Sequence, residues 1–149
     1  MRVEVFWIGK TRLAGVAALT AEYSRRLGRF CEFGASEVRA GKKKGAGASE
    51  EEAILARSRL SYRVVLDPEG KPWTSPELAR FLGKMRDGGQ RAITFCVGGA
   101  EGFSPGFRKQ AGLLLSLSPL TLPHELARVV LLEQLYRAFT MLAHHPYPR

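Results

Sequence analysis

Along this chain the spacing of hydrophobic positions switches repeatedly between two periods. Val3, Val5 and Trp7 alternate with Glu4, Phe6 and Ile8, the two-residue period of a strand. Leu13, Val16, Thr20, Tyr23 and Leu27 recur at helical spacing, and Gly28 offers a stop. Residues 30–38 can form a second strand. Ser49 sits three residues before Glu52, a capping-box pattern that opens a helix running to about Leu60. Residues 62–66 are a short β-branched run, and Asp67-Pro-Glu-Gly70 reads as the turn that ends it. Ser75-Pro76-Glu77 opens a further helix, with a cap, a proline in the first turn and an acid near the positive end of the dipole. Gly88-Gly89 closes it. Residues 92–97 are the most apolar strand candidate. A short helix is expected near Ser104-Pro105, a strand over 113–117, and a last helix from Pro123 to about Ala143, with Leu126, Val129, Val130, Glu133 and Tyr136 along one side.

Strands alternate with helices throughout, so the expected fold is α/β, with a mostly parallel sheet flanked by helices. No internal repeat is visible, and residues 1–149 read as a single domain. One break stands out: residues 39–48 hold three glycines and four cations, a flexible basic loop.

Composition narrows the class. The chain has 149 residues, 45% hydrophobic and 25% charged, which suits a folded domain and is too apolar for a disordered one. No stretch reaches the roughly 18 apolar residues of a membrane span. Glu4 interrupts what would be the apolar core of a leader peptide, so the expected location is the cytoplasm. Cys31 and Cys96 are too few and too far apart for a disulfide scaffold or a four-ligand zinc site.

Charge adds a partner class. The net charge is +9, with 14 basic and 9 acidic side chains in residues 1–75 and 9 and 5 in the remainder. The excess is spread over the whole domain. Such a field attracts phosphate polyanions, although solubility alone would also account for it.

Two loops invite a ligand. Gly98-Gly-Ala-Glu-Gly102 follows a buried strand, where open α/β sheets bind their ligands. It matches neither the dinucleotide fingerprint nor a P-loop, and spacing alone favours a tight turn requiring positive φ. Leu117-Ser-Pro-Leu-Thr-Leu-Pro123 is unusually apolar for a strand-to-helix connection. Its backbone groups need partners if buried. Either a ligand with an amide-like edge, such as adenine, or another subunit would provide them. Nucleophilic catalysis finds no support: there is no nucleophile elbow, and neither cysteine has a histidine close by in sequence. His124, His144 and His145 lack metal-binding spacing.

Four segments taken together, Leu66-Asp-Pro-Glu-Gly-Lys-Pro-Trp73, Val97-Gly-Gly-Ala-Glu-Gly-Phe-Ser104, Leu117-Ser-Pro-Leu-Thr-Leu-Pro-His124 and His145-Pro-Tyr147, resemble the ribosomal RNA large-subunit methyltransferase H family. Ala40-Gly-Lys42 and Glu133-Gln-Leu-Tyr-Arg137 extend the likeness to nearly the whole chain. Two positions depart from the family pattern: Ala100 stands where proline is common, and Pro148 stands where the closing motif has a second histidine.

The resemblance implies a SPOUT-type methyltransferase with a C-terminal trefoil knot, acting as a homodimer on N3 of a pseudouridine in 23S rRNA, on the assembled ribosome. It implies S-adenosylmethionine held by Leu66, Gly98, Gly99, Leu117, Ser118, Pro119, Leu120, Thr121, Leu122 and Pro123. It leaves His124, Tyr147 and Arg149 as catalytic candidates, with His124 either a proton acceptor or a cap on the last helix. Arg25, Arg26, Arg29, Lys42, Lys43 and Lys44 are expected along the RNA backbone. A non-catalytic ribosome-binding factor, or a SPOUT methyltransferase with another RNA target, would share much of this pattern.

Overall fold

A computed structural model describes residues 1–40 and 49–148. Five strands form one sheet in the order β2-β1-β4-β3-β5: β1 (Arg2–Trp7), β2 (Glu32–Glu37), β3 (Tyr62–Lys71), β4 (Ala92–Val97) and β5 (Leu113–Leu115). Every pairing is parallel. The helices are α1 (Ala14–Leu27), α2 (Glu50–Arg57), α3 (Ser75–Asp87), α4 (Pro105–Arg108) and α5 (His124–Leu142).

Alternation along the strands fills two cores. Val3, Val5, Val64, Ile93 and Phe95 face a larger cluster that includes Leu27 of α1, Leu78 and Leu82 of α3, and Leu131, Leu132 and Leu135 of α5. Phe6, Val65 and Cys96 face a smaller one built on Ile54 of α2 and Phe107 of α4. With helices on both faces, β4 is buried at every position, which is why it reads as an unbroken apolar run.

Three local expectations change. Asp67-Pro-Glu-Gly70 does not end β3. Leu66 and Lys71 both pair with Leu115, so the four residues between them bulge out and the strand resumes. Asp67 Oδ1 accepts the Glu69 amide at 2.8 Å, giving the turn its local closure. Gly70 crosses β5 so closely that a Cβ there would lie 2.6 Å from the Leu114 carbonyl carbon.

The cap of α3 is Thr74, not Ser75: Thr74 Oγ1 accepts from the Glu77 amide and Glu77 accepts from the Thr74 amide, a complete capping box. Finally, the buried face of α5 is carried by Arg128, Leu131, Leu132, Leu135 and Phe139, while Leu126 is 46% exposed. The helix is apolar on more than one side, so its pattern did not fix which side meets the sheet. The capping Ser49 accepts the Glu52 amide as its spacing predicts.

Candidate active site

Leu66, Val97 and Leu115 stand at the carboxyl end of the sheet, where parallel strands deliver their loops to a common edge. They form the floor of a cavity of about 540 Å³, within the range of small-molecule sites. Its walls are the β3 bulge, the glycine turn after β4 and the loop before α5. These segments lie far apart in sequence and meet because three neighbouring strands end together.

The glycine turn is the tight turn its spacing predicts, and it borders the cavity. Gly102 has φ +71° and its amide donates to the Gly99 carbonyl at 3.0 Å, a tight turn only glycine adopts readily. Gly98 packs on the same turn, where a Cβ would meet Gly102 Cα at 3.1 Å. Gly98, Gly99 and Gly102 therefore bring bare backbone to one wall of the cavity, with Ala100 and Glu101 between them.

Leu66, Gly98, Gly99, Leu117, Pro119, Leu120, Thr121, Leu122 and His124 all line the cavity. Ser118 and Pro123 are not part of the lining but shape the loop. Ser118 Oγ accepts the Leu120 amide at 2.9 Å, and Pro123 precedes the first turn of α5 at the N-cap. The N-cap of α5 is Pro123, which brings no side-chain cap, and His124 is the first residue of the helix.

Sequence reasoning missed the charged wall. Asp67, Glu69, Glu101 and Arg108 all border the cavity. Arg108 Nε lies 2.7 Å from Asp67 Oδ2, a charge contact whose alignment falls short of a hydrogen bond, and its NH2 group donates to Glu69 at 3.2 Å. Three acids against one base make this wall acidic in a protein that is otherwise strongly basic. The signal was present in Asp67-Pro-Glu69 but was spent on the turn.

The remaining candidates lie elsewhere. Tyr147 packs edge-on against Tyr136 at 4.8 Å between ring centres, and its hydroxyl donates to Glu133 at 3.4 Å. Burial, the Tyr23 hydroxyl and the Glu133 carboxylate together push its phenol well above the usual range. Glu133 is nine residues beyond His124 on α5, so about 14 Å separates their levels at 1.5 Å per residue. Arg25, Arg26 and Arg29 sit at the carboxyl end of α1, at the opposite edge of the sheet from the cavity, as a helix leaving β1 must run. Arg25 and Arg26 share Glu22, at 2.8 and 2.7 Å. Lys42, Lys43, Lys44 and Arg149 lie outside the described residues.

The comparisons agree with this architecture. Residues 1–148 match a family model described as "Predicted SPOUT methyltransferase". A protein of Pelobacter propionicus named ribosomal RNA large subunit methyltransferase H is 43% identical over 154 residues, covering 99% of each chain. Its namesake in Geobacter sp. strain M21 is 41% identical over 151 residues, covering 99% of this chain and 98% of its own. Among solved structures, a tRNA (m1G37) methyltransferase from Aquifex aeolicus aligns with a TM-score of 0.60 at 13% identity, over 100% of this chain and 75% of its own. A methyltransferase from Legionella pneumophila solved with bound SAM aligns with a TM-score of 0.56 at 16% identity, over 93% of this chain and 66% of its own. The sheet order, the cavity at its carboxyl edge and near-complete matches to named relatives lead to one conclusion: the chain belongs to the SPOUT methyltransferases, in the family of ribosomal RNA large subunit methyltransferase H.

Proposed function

We propose that the chain transfers a methyl group from S-adenosylmethionine to N3 of a pseudouridine in 23S rRNA, acting in the cytoplasm as a homodimer on the assembled ribosome. The observation that carries this is the cavity walled by the β3 bulge, the glycine turn and the apolar loop before α5.

Its chemistry suits the cofactor. Leu66, Leu117 and Leu122 supply apolar surface for a purine, and the bare glycine turn offers backbone groups to it. Asp67, Glu69 and Glu101 suit the ribose hydroxyls, the ammonium and the sulfonium, and Arg108 suits the carboxylate. When bound, S-adenosylmethionine supplies a methyl already activated by its sulfonium.

The protein's part is placement and proton handling. N3 lies between two carbonyls, so losing its proton spreads negative charge onto oxygen. His124, on the cavity wall, receives that proton or orients the base. Arg149 stabilises the anionic edge or grips a phosphate, and Tyr147 stacks on or hydrogen-bonds to the target nucleotide. Tyr147 docks far along α5 from its own His124, so the tail of one subunit serves the cavity of the other. Leu120, 76% exposed, and Leu126, 46% exposed, are apolar side chains open to such a pairing. Arg25, Arg26, Arg29, Lys42, Lys43 and Lys44 follow the RNA backbone. The trefoil knot belongs to the same reading. Its support is that β5 sits outside β3 while α5 returns to pack between α1 and α3.

No helix among the described residues is long and apolar enough to cross a membrane. Calorimetric titration with S-adenosylmethionine tests the reading: saturable binding at one cofactor per chain is expected, and no binding would favour a non-catalytic ribosome-binding factor.

A further inference from the structure

The segment that joins β1 to α1, residues 8–13, borders the cavity without contributing to its walls. Ile8 extends the sheet edge, its amide donating to the Val97 carbonyl at 3.1 Å. Its side chain and carbonyl approach Gly99, where a Cβ would meet Ile8 Cγ2 at 3.6 Å. Gly9, with φ +96°, turns the chain beside His124: a Cβ on Gly9 would be 4.0 Å from the imidazole Nε2. The segment therefore lies beside both the glycine turn and the candidate proton acceptor.

Its conformation is held from outside. Glu125 Oε1 accepts the amides of Arg12 and Leu13 at 2.9 and 3.1 Å. The Arg128 guanidinium donates to Thr11 Oγ1 at 2.6 Å and to the Gly9 carbonyl at 3.2 Å, and packs 5.0 Å from the centre of the Trp7 ring. Arg128 is fully buried, and its Nε has no partner. Burying a guanidinium with a donor left over is a poor route to stability, since an apolar side chain of similar size commonly does as well. What it does achieve is to fix one loop against one helix turn. Arg128 and Glu125 flank the helix start whose first residue is His124, so loop and imidazole are held by the same turn of α5.

The tip of the segment faces solvent with two cations, Lys10 and Arg12, both exposed. We infer that residues 8–13 form an RNA-facing lip of the cavity, in which Lys10 and Arg12 bind backbone phosphates beside the target nucleotide and Arg128 and Glu125 are the positioning residues that set it. This deepens the methyltransferase reading given above and rests on it. In contrast to Arg25, Arg26 and Arg29, these cations stand at the cavity's own edge of the sheet.

The test uses the full-length protein and purified ribosomes lacking the modification. The double variant Lys10→Ala, Arg12→Ala should weaken retention of ribosomes on filters and lower the slope of log affinity against log salt by about one per lost phosphate contact. Its affinity for S-adenosylmethionine should be unchanged. Thr11→Val and Glu125→Ala should raise the ribosome KM about tenfold with cofactor affinity retained, as expected when a positioned group shifts by a fraction of its contact distance. Glu125→Gln keeps an oxygen acceptor and should restore a near-normal KM. If Glu125→Ala does not fold, Thr11→Val carries this arm.

An unchanged salt slope in the double variant would overturn the lip. So would cofactor affinity falling in step with ribosome KM, or a lowered melting temperature with no KM change, because a merely structural contact would act in those ways. Wild-type protein that binds ribosomes but not S-adenosylmethionine would contradict the methyltransferase reading and, with it, the lip's place beside a methylation target. Efficient methylation with no Lys10 and Arg12 effect would contradict the lip alone.

Discussion

The Tyr147 hydroxyl stands 3.4 Å from Glu133 Oε1, and Arg137 holds the same stretch of tail by donating to the Pro148 carbonyl at 2.6 Å. His144 makes this possible with φ +53°, a left-handed reversal that folds the tail back along α5. The closing motif is thus docked on the flank of its own helix, at the level of Glu133 and about 14 Å along α5 from His124.

The proposed homodimer with shared sites is tested by a mixing experiment. His124→Ala protein and protein truncated before His145 should each be inactive. After subunit exchange, half of the dimers are mixed and each holds one intact site, so about a quarter of wild-type activity should return. No recovery after proven exchange would mean that each chain completes its own site.

Gly70 is the least replaceable glycine in the sheet. Gly70→Ala would put a methyl 2.6 Å from the backbone of β5, which cannot turn aside as a side chain can. Overpacking of this kind costs about 1–3 kcal/mol, so the urea midpoint should fall clearly. Because the bulge it closes carries Asp67 and Glu69, cofactor affinity should fall with it. Gly34→Ala, where a Cβ would meet nothing within 4 Å, is the control and should cost much less.

Stability should fall at both pH extremes, for different groups. Glu125 is held below the usual carboxylate range first by the Leu13 amide, Glu77 by the Thr74 amide, and Glu22 by Arg25. A lowered carboxyl pKa stabilises the fold above the unfolded value, and that contribution is lost as pH falls through the folded value. The urea midpoint should therefore drop below about pH 4.5. On the alkaline side, burial pushes the Cys31 thiol up to about 11 and the Cys96 thiol up to about 12. A raised thiol pKa stabilises fully below the unfolded value and is lost as pH climbs toward the folded one. The midpoint should decline from about pH 9 upward, and replacing Cys96 by alanine should flatten part of that decline. At pH 7.5 neither thiol should react readily with iodoacetamide in the folded protein. Rapid alkylation of Cys96 without unfolding would contradict its placement under α2 and α4.

Much of this fold could be read directly. The alternation in β1, the buried run of β4 and the Ser49 cap each carry their own periodicity or hydrogen-bonding logic, and each stands where that logic puts it. The β3 bulge could not be read, because Asp67-Pro-Glu-Gly70 is a true turn signal. Whether a chain turns away or resumes its strand depends on the neighbour β5, which is 42 residues later at Leu113. The site divides in the same way. Gly98 and the loop from Leu117 to Leu122 follow strand ends and were legible as places for a ligand, whereas Leu66 came only from the family resemblance. Glu125 and Arg128 were not, since two charges three apart on an apolar helix look like surface until the loop they hold is in place.

Neutralising Lys42, Lys43 and Lys44 together should weaken ribosome binding and reduce its salt dependence while leaving S-adenosylmethionine affinity intact. Filter retention across a salt series measures this. Identical slopes for wild type and variant would mean that these lysines are only solvated.

The central claim is tested most directly by incubating the protein with labelled S-adenosylmethionine and either intact ribosomes or free 23S rRNA that lack the modification, then mapping the label. The account predicts one methyl per ribosome, on N3 of a single pseudouridine of 23S rRNA, with intact ribosomes the better substrate and His124→Ala strongly impaired. Label on another RNA, or none transferred by folded, cofactor-binding protein, would contradict it.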